Sequence, residues 1–451
     1  MSKLTINRRG LLRSGAALGA GLAAPTFFHR NAWAQSHTNM PQGQTVTLGF
    51  NVPQTGSYAE EGADQLRALQ LAVKHLNGDD SSDGGMMGTF SSKALKGNGI
   101  LGKKVAFVTG DTQTKSDAAR ASAKRMVEAD GAVMITGGSS SGVAVAVQSY
   151  CQEAGVIFMA GLTHANDTTG KDRRANGFRH FCNAYMSGKA MQPVLEAEYG
   201  RGRNVYMLVS DYNWGWSVEE TLKEVSGDLG WNVVNSVRTP FQSGDFSQYL
   251  TPVLNSDADV LMLIQYGGDM VNSLTQAVQF GMRDRVVNGQ NMEIVVPLMS
   301  RVMAQGAGEN VKGIFGTSNW HWSLQDEGSK AFVKSFGQEY GFPPSQAAHT
   351  AYCQALLYAD ACERAGTFYP CDVITALEDY EFDGLGNGPT LYRGDDHQCF
   401  KPVLVVKGNE NPTSQFDLLE VVGTASTEDI TYAPDHPMFA GGNLGSCNPG
   451  A

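Results

Sequence analysis

The chain has 451 residues, with 34 Lys and Arg against 45 Asp and Glu, for a formal net charge of −11. So acidic a surface repels nucleic acid and anionic lipid, and no basic stripe interrupts it, which excludes both as partners. The length exceeds one ordinary core and predicts two lobes, each with ample apolar area.

Residues 1–34 read as an export leader rather than part of the fold. Asn7-Arg8-Arg9-Gly10-Leu11-Leu12-Arg13 is a twin-arginine region, 15–24 is a small apolar run ending at Pro25, and Ala32-Trp33-Ala34 is a cleavage site. The apolar run is too short for a membrane span, and no later segment approaches that length. Cleavage leaves 417 residues; the leader carries five Lys/Arg and no acid, so 29 basic side chains face 45 acidic ones, or −16. The expected compartment is the periplasm.

Apolar runs of strand length at 46–52, 104–109, 133–136 and 157–160 alternate with helical patterns. Leu66, Leu69, Val73 and Leu76 share one helix face, 115–130 reads as the next helix, and a third runs to Glu153. Four strands separated by three helices predict a parallel sheet with right-handed crossovers. Residues 79–99, dense in Gly, Ser and Asp, predict a surface insertion. After Phe181 the rhythm restarts. Helices at 185–199, 216–228, 246–255 and 270–280 alternate with strands at 205–210, 232–237, 260–264, 294–296 and 313–316. Helices at 329–340, 347–365 and 371–379 and a strand at 402–406 then complete the two lobes. The fold class is α/β, with two doubly wound parallel sheets.

The most informative turn follows 132–136, where Gly137-Gly138-Ser139-Ser140-Ser141-Gly142 opens an Ala/Val-rich helix. The first N–H groups of a helix have no internal partner, and its dipole favours negative charge there, so the turn is suited to a carboxylate or other acceptor. Ser141 could equally do no more than cap its helix. Gly138-Ser139-Ser140-Ser141-Gly142 also satisfies the nucleophile-elbow pattern, with Ser140 as nucleophile and Asp395 or Asp396 with His397 or His436 completing a relay. Against that reading, no oxyanion segment precedes it, adjacent Asp and His are poorly placed to relay, and two lobes are unlike a single hydrolase sheet. Gly97-Asn98-Gly99-Ile100-Leu101-Gly102 precedes a strand instead of following one, so it is not a dinucleotide site.

Seven cysteines are an odd number, so at least one is unpaired or pairs between chains. Cys353, Cys362, Cys371, Cys399 and Cys447 are available for bridges in an oxidising compartment, whereas Cys151 and Cys182 read as buried small hydrophobes. No C-x-x-C spacing suggests metal or redox chemistry, and connectivity stays open.

In order along about 45–406, several segments resemble the periplasmic substrate-binding proteins of ABC transporters, of the leucine/isoleucine/valine-binding type. They are Thr55–Gly62, Gly99–Val105 with Asp111-Thr112-Gln113, Gly137–Ala146, and Gly388-Pro389 followed by Asp396-His397-Gln398 and Pro402-Val403. The resemblance implies type I periplasmic binding lobes joined by three crossings. The expected division is 44–182 with 319–394 for the first lobe and 183–318 with 395–445 for the second. It implies a monomeric receptor, with no catalytic residues and no cofactor, that clamps a small amino acid, amide or carboxylate and delivers it to an inner-membrane permease. A ligand-sensing subunit of the same fold is the other reading of that resemblance.

Carried over by position, Tyr58 lines the first wall, and Ser141 with the N–H of Gly142 takes the carboxylate. Leu162, Thr163 and His164 follow on the same side. Trp214 and Tyr266 come from opposite, and Trp214, Trp216, Trp320 and Trp322 make an aromatic-walled cleft suited to a planar, aromatic or cationic ligand, with Trp320 counted among the ligand contacts. Family members that bind α-amino acids place an acid after the strand at 294–296, where this chain has Pro297-Leu298-Met299-Ser300. Either Asp269 or Asp211 substitutes for it, or the ligand has no ammonium.

Overall fold

A computed structural model describes residues 40–79 and 84–447; the expected leader at 1–34 lies outside them. In the first lobe β1 (Thr45–Val52), α1 (Ala59–Asn77), β2 (Lys104–Asp111), α2 (Ser116–Glu128), β3 (Met134–Gly137), α3 (Ser141–Ala154), β4 (Ile157–Ala160) and β5 (Gly177–Arg179) alternate. The sheet is parallel throughout, in the order β2-β1-β3-β4-β5. The strands read as unbroken apolar runs because helices cover both faces: α2 and α3 bury one side, α1 the other.

The chain crosses to the second lobe after Phe181 and starts α4 (Ala184–Tyr199), capped by the Asn183 side chain accepting from the Met186 N–H at 2.9 Å. Next come β6 (Asn204–Ser210), α5 (Asn213–Asp228), β7 (Asn232–Thr239), α6 (Ser247–Leu254), β8 (Val260–Ile264) and α7 (Gly268–Gln279). A hairpin of β9 (Val286–Val287) and β10 (Gln290–Asn291) leads into β11 (Glu293–Leu298), α8 (Arg301–Ala307) and β12 (Phe315–Ser318). The parallel part runs β7-β6-β8-β11-β12, the same order as in the first lobe.

The chain returns to the first lobe with α9 (Glu327–Tyr340), α10 (Gln346–Ala365), which lies along α1, and α11 (Pro370–Leu377). A small antiparallel sheet of β13 (Tyr380–Phe382), β14 (Thr390–Tyr392) and β15 (Cys399–Phe400) follows. β16 (Val403–Gly408) and β17 (Leu419–Ala425) then extend the second sheet antiparallel beside β12. The third crossing falls at Lys401-Pro402, later than the expected 394/395, because β15 still pairs with β14. The crossings are bonded to one another: Asn319 accepts from the Cys182 N–H at 3.0 Å, and Asn387 donates to the carbonyls of Asn319 (3.1 Å) and Pro402 (2.7 Å).

Two further expectations change. The stretch 84–90 within the insertion is not a surface loop: Met86 and Phe90 are fully buried, and Phe90 packs edge-on against Phe382. The C-terminal stretch does not stay on the second lobe. After α12 (Thr427–Ile430) it passes back over the first, where Ala175 donates to Leu444 at 2.7 Å and Cys371 and Cys447 form a disulfide. Cys151, Cys182, Cys353, Cys362 and Cys399 are buried free thiols.

Candidate functional site

In an open parallel sheet, ligands bind beyond the carboxyl ends of the strands, where the strand order reverses. Here that point lies between β1 and β3 in one lobe and between β6 and β8 in the other. The four loops leaving those strands begin at Pro53, Gly138, Asp211 and Gln265, and they face one another. Between them is a narrow chamber of about 20 Å³, lined by Tyr58, Ser140, Ser141, Leu162 and His164 from the first lobe and Tyr212, Trp214, Tyr266 and Leu298 from the second. In this shut form it has room for about one water-sized group, so a larger solute enters only as the rings part.

The lobes are shut on one another. Gly268 donates to the Ser57 carbonyl at 3.1 Å, and the Tyr58 and Tyr212 hydroxyls share a short hydrogen bond. Gly267 sits at φ +60°, and a Cβ there would run into the Tyr58 ring and the Ser57 carbonyl, so the close approach requires glycine. Three of the four chamber rings meet edge to face: Tyr266 lies 5.5 Å from Tyr58 and 6.0 Å from Trp214 between centroids. Tyr212 stacks on Phe241 at 4.2 Å. Burial raises the phenols of Tyr58, Tyr212 and Tyr266 far above their ordinary range, so they stay protonated.

The serine corner is shaped by backbone strain. Gly137 has φ +110°, where a Cβ would strike the Asn51 carbonyl, and Ser140 holds φ +84°, unusual for a residue with a side chain. The first turn of α3 closes by Ala144 donating to Ser140 at 2.9 Å, leaving the N–H groups before it without intrahelical partners. Ser141 does not cap its helix with its side chain. Its Oγ accepts the N–H groups of Ala165 (3.1 Å) and His164 (3.3 Å) and the hydroxyl of Thr163 (3.4 Å), tying α3 to the loop after β4. Its own O–H remains to donate. Thr163 also bonds Thr168 at 2.9 Å and belongs to that buried network, and Gly142 faces the Asn213 side chain at the start of α5.

His164 joins the lobes. Trp214 Nε1–H can only donate, so His164 Nδ1 accepts (3.0 Å), and its Nε2–H is the donor to Ser187 Oγ (2.7 Å). Burial, with the Arg179 charge adding to it, pushes the imidazole down to about 3 and keeps it neutral.

Among the described residues no carboxylate lines the chamber; Leu298 stands in that wall. Asp211 is exposed and bonded to Trp216 Nε1–H. Asp269 accepts from the Gln242 N–H at 2.7 Å and from Ser57 Oγ at 3.4 Å, and burial pushes it up to about 6. Trp320 is not a lining residue: it stacks on His349 at 4.6 Å in the first-lobe core and donates to Ser329. Trp216 is half-exposed against Arg238, so Trp214 alone of the four tryptophans lines the chamber and the other rings are tyrosines.

Sequence reasoning missed Tyr212 and Glu61. Tyr212 had a signal, since it lies just after the first strand of the second lobe, at the reversal of strand order. Glu61 had none. One of two acids in the first turn of α1, it looks like a surface residue complementing the helix dipole, yet it is buried, with Oε1 accepting from Tyr266 (3.1 Å) and from Ser300.

The nucleophile reading of Ser140 finds no relay. Asp396 is paired with Arg393, His397 is bonded to Gly177 and Glu378, and His436 packs against Tyr185. The chamber's own histidine has both nitrogens engaged.

A family model described as periplasmic binding protein matches residues 45–413. The Leu/Ile/Val-binding protein homolog 7 of Brucella abortus (strain 2308) is 24% identical over 346 residues, covering 75% of this chain and 82% of its own. The solved amino acid ABC transporter substrate-binding protein from Pseudomonas fluorescens Pf-5 aligns with a TM-score of 0.75 at 22% identity, covering 90% of this chain and all of its own. A solute binding protein of an ABC transporter from Rhodopseudomonas palustris BisB5, in complex with 3,4-dihydroxy benzoic acid, aligns with a TM-score of 0.72 at 18% identity, covering 85% and 98%. With matched sheets facing across one chamber, and the family pattern running along most of its length, the chain belongs to the periplasmic binding protein family.

Proposed function

We propose that this protein is the exported solute receptor of an ABC importer, and that its ligand is a small planar carboxylate or amide without an ammonium group. The observation that carries the reading is the chamber wall itself: four aromatic rings, two leucines, a serine corner at a helix N-terminus, and no carboxylate. A buried ammonium in such a chamber lacks an anionic partner and is costly. A carboxylate meets the Ser141 hydroxyl and the free N–H groups of α3, and the ring of an aromatic acid parts Tyr58, Trp214 and Tyr266, which touch one another in the shut form. The relative that holds 3,4-dihydroxy benzoic acid supports a ligand of this kind. The hinge is the set of crossings around Asn319, and the closed form is what an inner-membrane permease recognises. The receptor acts as a periplasmic monomer, and its leader exports it by the twin-arginine route.

A thermal-shift panel of benzoate, hydroxybenzoates, short amides, ureas, leucine and valine tests the ligand class. A ligand at a hundredfold over its Kd adds about 2.7 kcal/mol. Acids and amides without an amine are expected to raise the Tm, and Ser141→Ala to weaken the best of them about tenfold. Stabilisation by leucine or valine equal to that by benzoate refutes the reading. Pull-down of a permease, as opposed to a signalling receptor, separates transport from sensing.

A further inference from the structure

We propose that Glu61 is a proton-bearing clasp between the lobes: in its neutral form it holds Tyr266 and Ser300, so closing the cleft takes up one proton and the closed state loosens as the medium turns alkaline. This rests on the hinge closure proposed above but not on the identity of the ligand.

Glu61 stands on α1 in the first lobe, whereas Tyr266 follows β8 and Ser300 caps α8 in the second. Both of its hydrogen bonds therefore span the cleft and exist only when it is shut. Both also end on one oxygen. Oε1 takes the Tyr266 and Ser300 hydroxyls, while Oε2 is buried with no partner. A carboxylate in this place would strand charge on an oxygen out of reach of any donor, whereas the acid leaves only a neutral O–H unpaired there, which costs less.

The charges around it do not reverse that preference. Asp64 lies one turn along α1 and Arg301 opposite on α8, and these two are paired with each other at 2.9 Å. Tyr266 is the titratable group beyond β8. α10 brings only the uncharged Gln346, whose amide reaches the Tyr266 hydroxyl at 3.5 Å and the Met299 carbonyl at 3.0 Å. Burial is the largest influence and pushes Glu61 up from 4.5 to about 7, against the bonds from Ser300 and Tyr266 and the Arg301 charge, with Asp64 reinforcing it.

With the cleft open, Glu61 meets water and returns toward its ordinary range. The group binds its proton more tightly in the closed form, so closure is fully favoured below the open-state value and loses that support as pH rises through the closed-state one. Across the interval from 4.5 to about 7 the closing equilibrium falls by up to roughly 300-fold. The same clasp fixes the Tyr266 hydroxyl, and with it one wall of the chamber, which makes Glu61 a positioning residue for the ligand.

Small-angle scattering of the full chain without ligand, from pH 5 to 8.5, reads lobe separation directly. The wild type is expected to expand as pH passes 7. Glu61→Gln, which keeps the accepting oxygen but cannot ionise, is expected to stay compact throughout. Tyr266→Phe removes a donor that helps the charged form, so its expansion should move to higher pH. A wild type of constant radius, or one that expands together with Glu61→Gln, overturns the proposal. Should Glu61→Gln fail to fold, a carbon NMR titration of glutamate carboxyls in the wild type decides: a midpoint near 7 that coincides with expansion supports the clasp, and all midpoints below 5.5 overturn it. Neither readout uses a ligand, so failure here leaves the ligand reading standing, and a silent ligand panel leaves this proposal testable.

Discussion

His164 offers the sharpest test of how the chamber is held together. Its folded-state value is pushed down from 6.5 to about 3, chiefly by burial. A histidine depressed in this way contributes stability that is fully present above 6.5 and is lost as pH falls toward 3, since the unfolded chain binds a proton that the folded one refuses. Between pH 7 and pH 5 the unfolded imidazole goes from mostly neutral to almost fully charged while the folded one stays neutral, which removes about 2 kcal/mol. Other groups titrate over the same range, Glu61 and Asp269 in the opposite sense, so the measurement must be a difference. His164→Asn retains an acceptor for the Trp214 N–H but has nothing to protonate. Urea unfolding of both proteins at pH 7 and pH 5 should show the variant less stable at pH 7 and the gap narrowing by about 2 kcal/mol at pH 5. A gap that stays constant within about 0.5 kcal/mol would refute the claim that burial holds this imidazole neutral.

Two further outcomes follow from buried features elsewhere. Asp64→Asn leaves the Arg301 guanidinium buried without its ion pair, which should cost about 3–5 kcal/mol in denaturant unfolding; a loss under 1 kcal/mol would mean that the pair is not buried in solution. Cys371→Ser removes a bridge spanning 76 residues, and the chain-entropy model gives roughly 4–5 kcal/mol for a loop of that length. The Tm of Cys371→Ser should fall accordingly, and an unchanged Tm under reducing conditions would show that the C-terminal stretch is held without it.

The two α/β series were legible because each buried strand is an apolar run and each helix carries a one-sided stripe. The strand at 260–264 and that at 157–160 needed nothing beyond their neighbours in sequence. Elements that have no stripe of their own were missed. Gly177–Arg179 becomes a strand only by pairing with β4, Leu419–Ala425 only by lying against β16, and Tyr380–Phe382 only by meeting β14. Phe90 looked like part of a polar insertion until Phe382, far along the chain, covered it.

Of the expected chamber residues, Tyr58, Ser141, Leu162, His164, Trp214 and Tyr266 come together because each leaves the end of a strand at or next to a reversal of strand order; periodicity located the strand ends, and the family resemblance singled out these residues beyond them. Trp320 does not, since its ring has a stacking partner in His349 that is 29 positions away and invisible in the sequence. The chain by itself determined the two parallel sheets and the strand ends whose loops would meet. Only the tertiary structure decided what fills the space between those loops: which acid is buried, which histidine stays neutral, which ring turns inward. Those properties depend on desolvation and on partners some 50 to 240 positions distant, and neither is written in any local pattern.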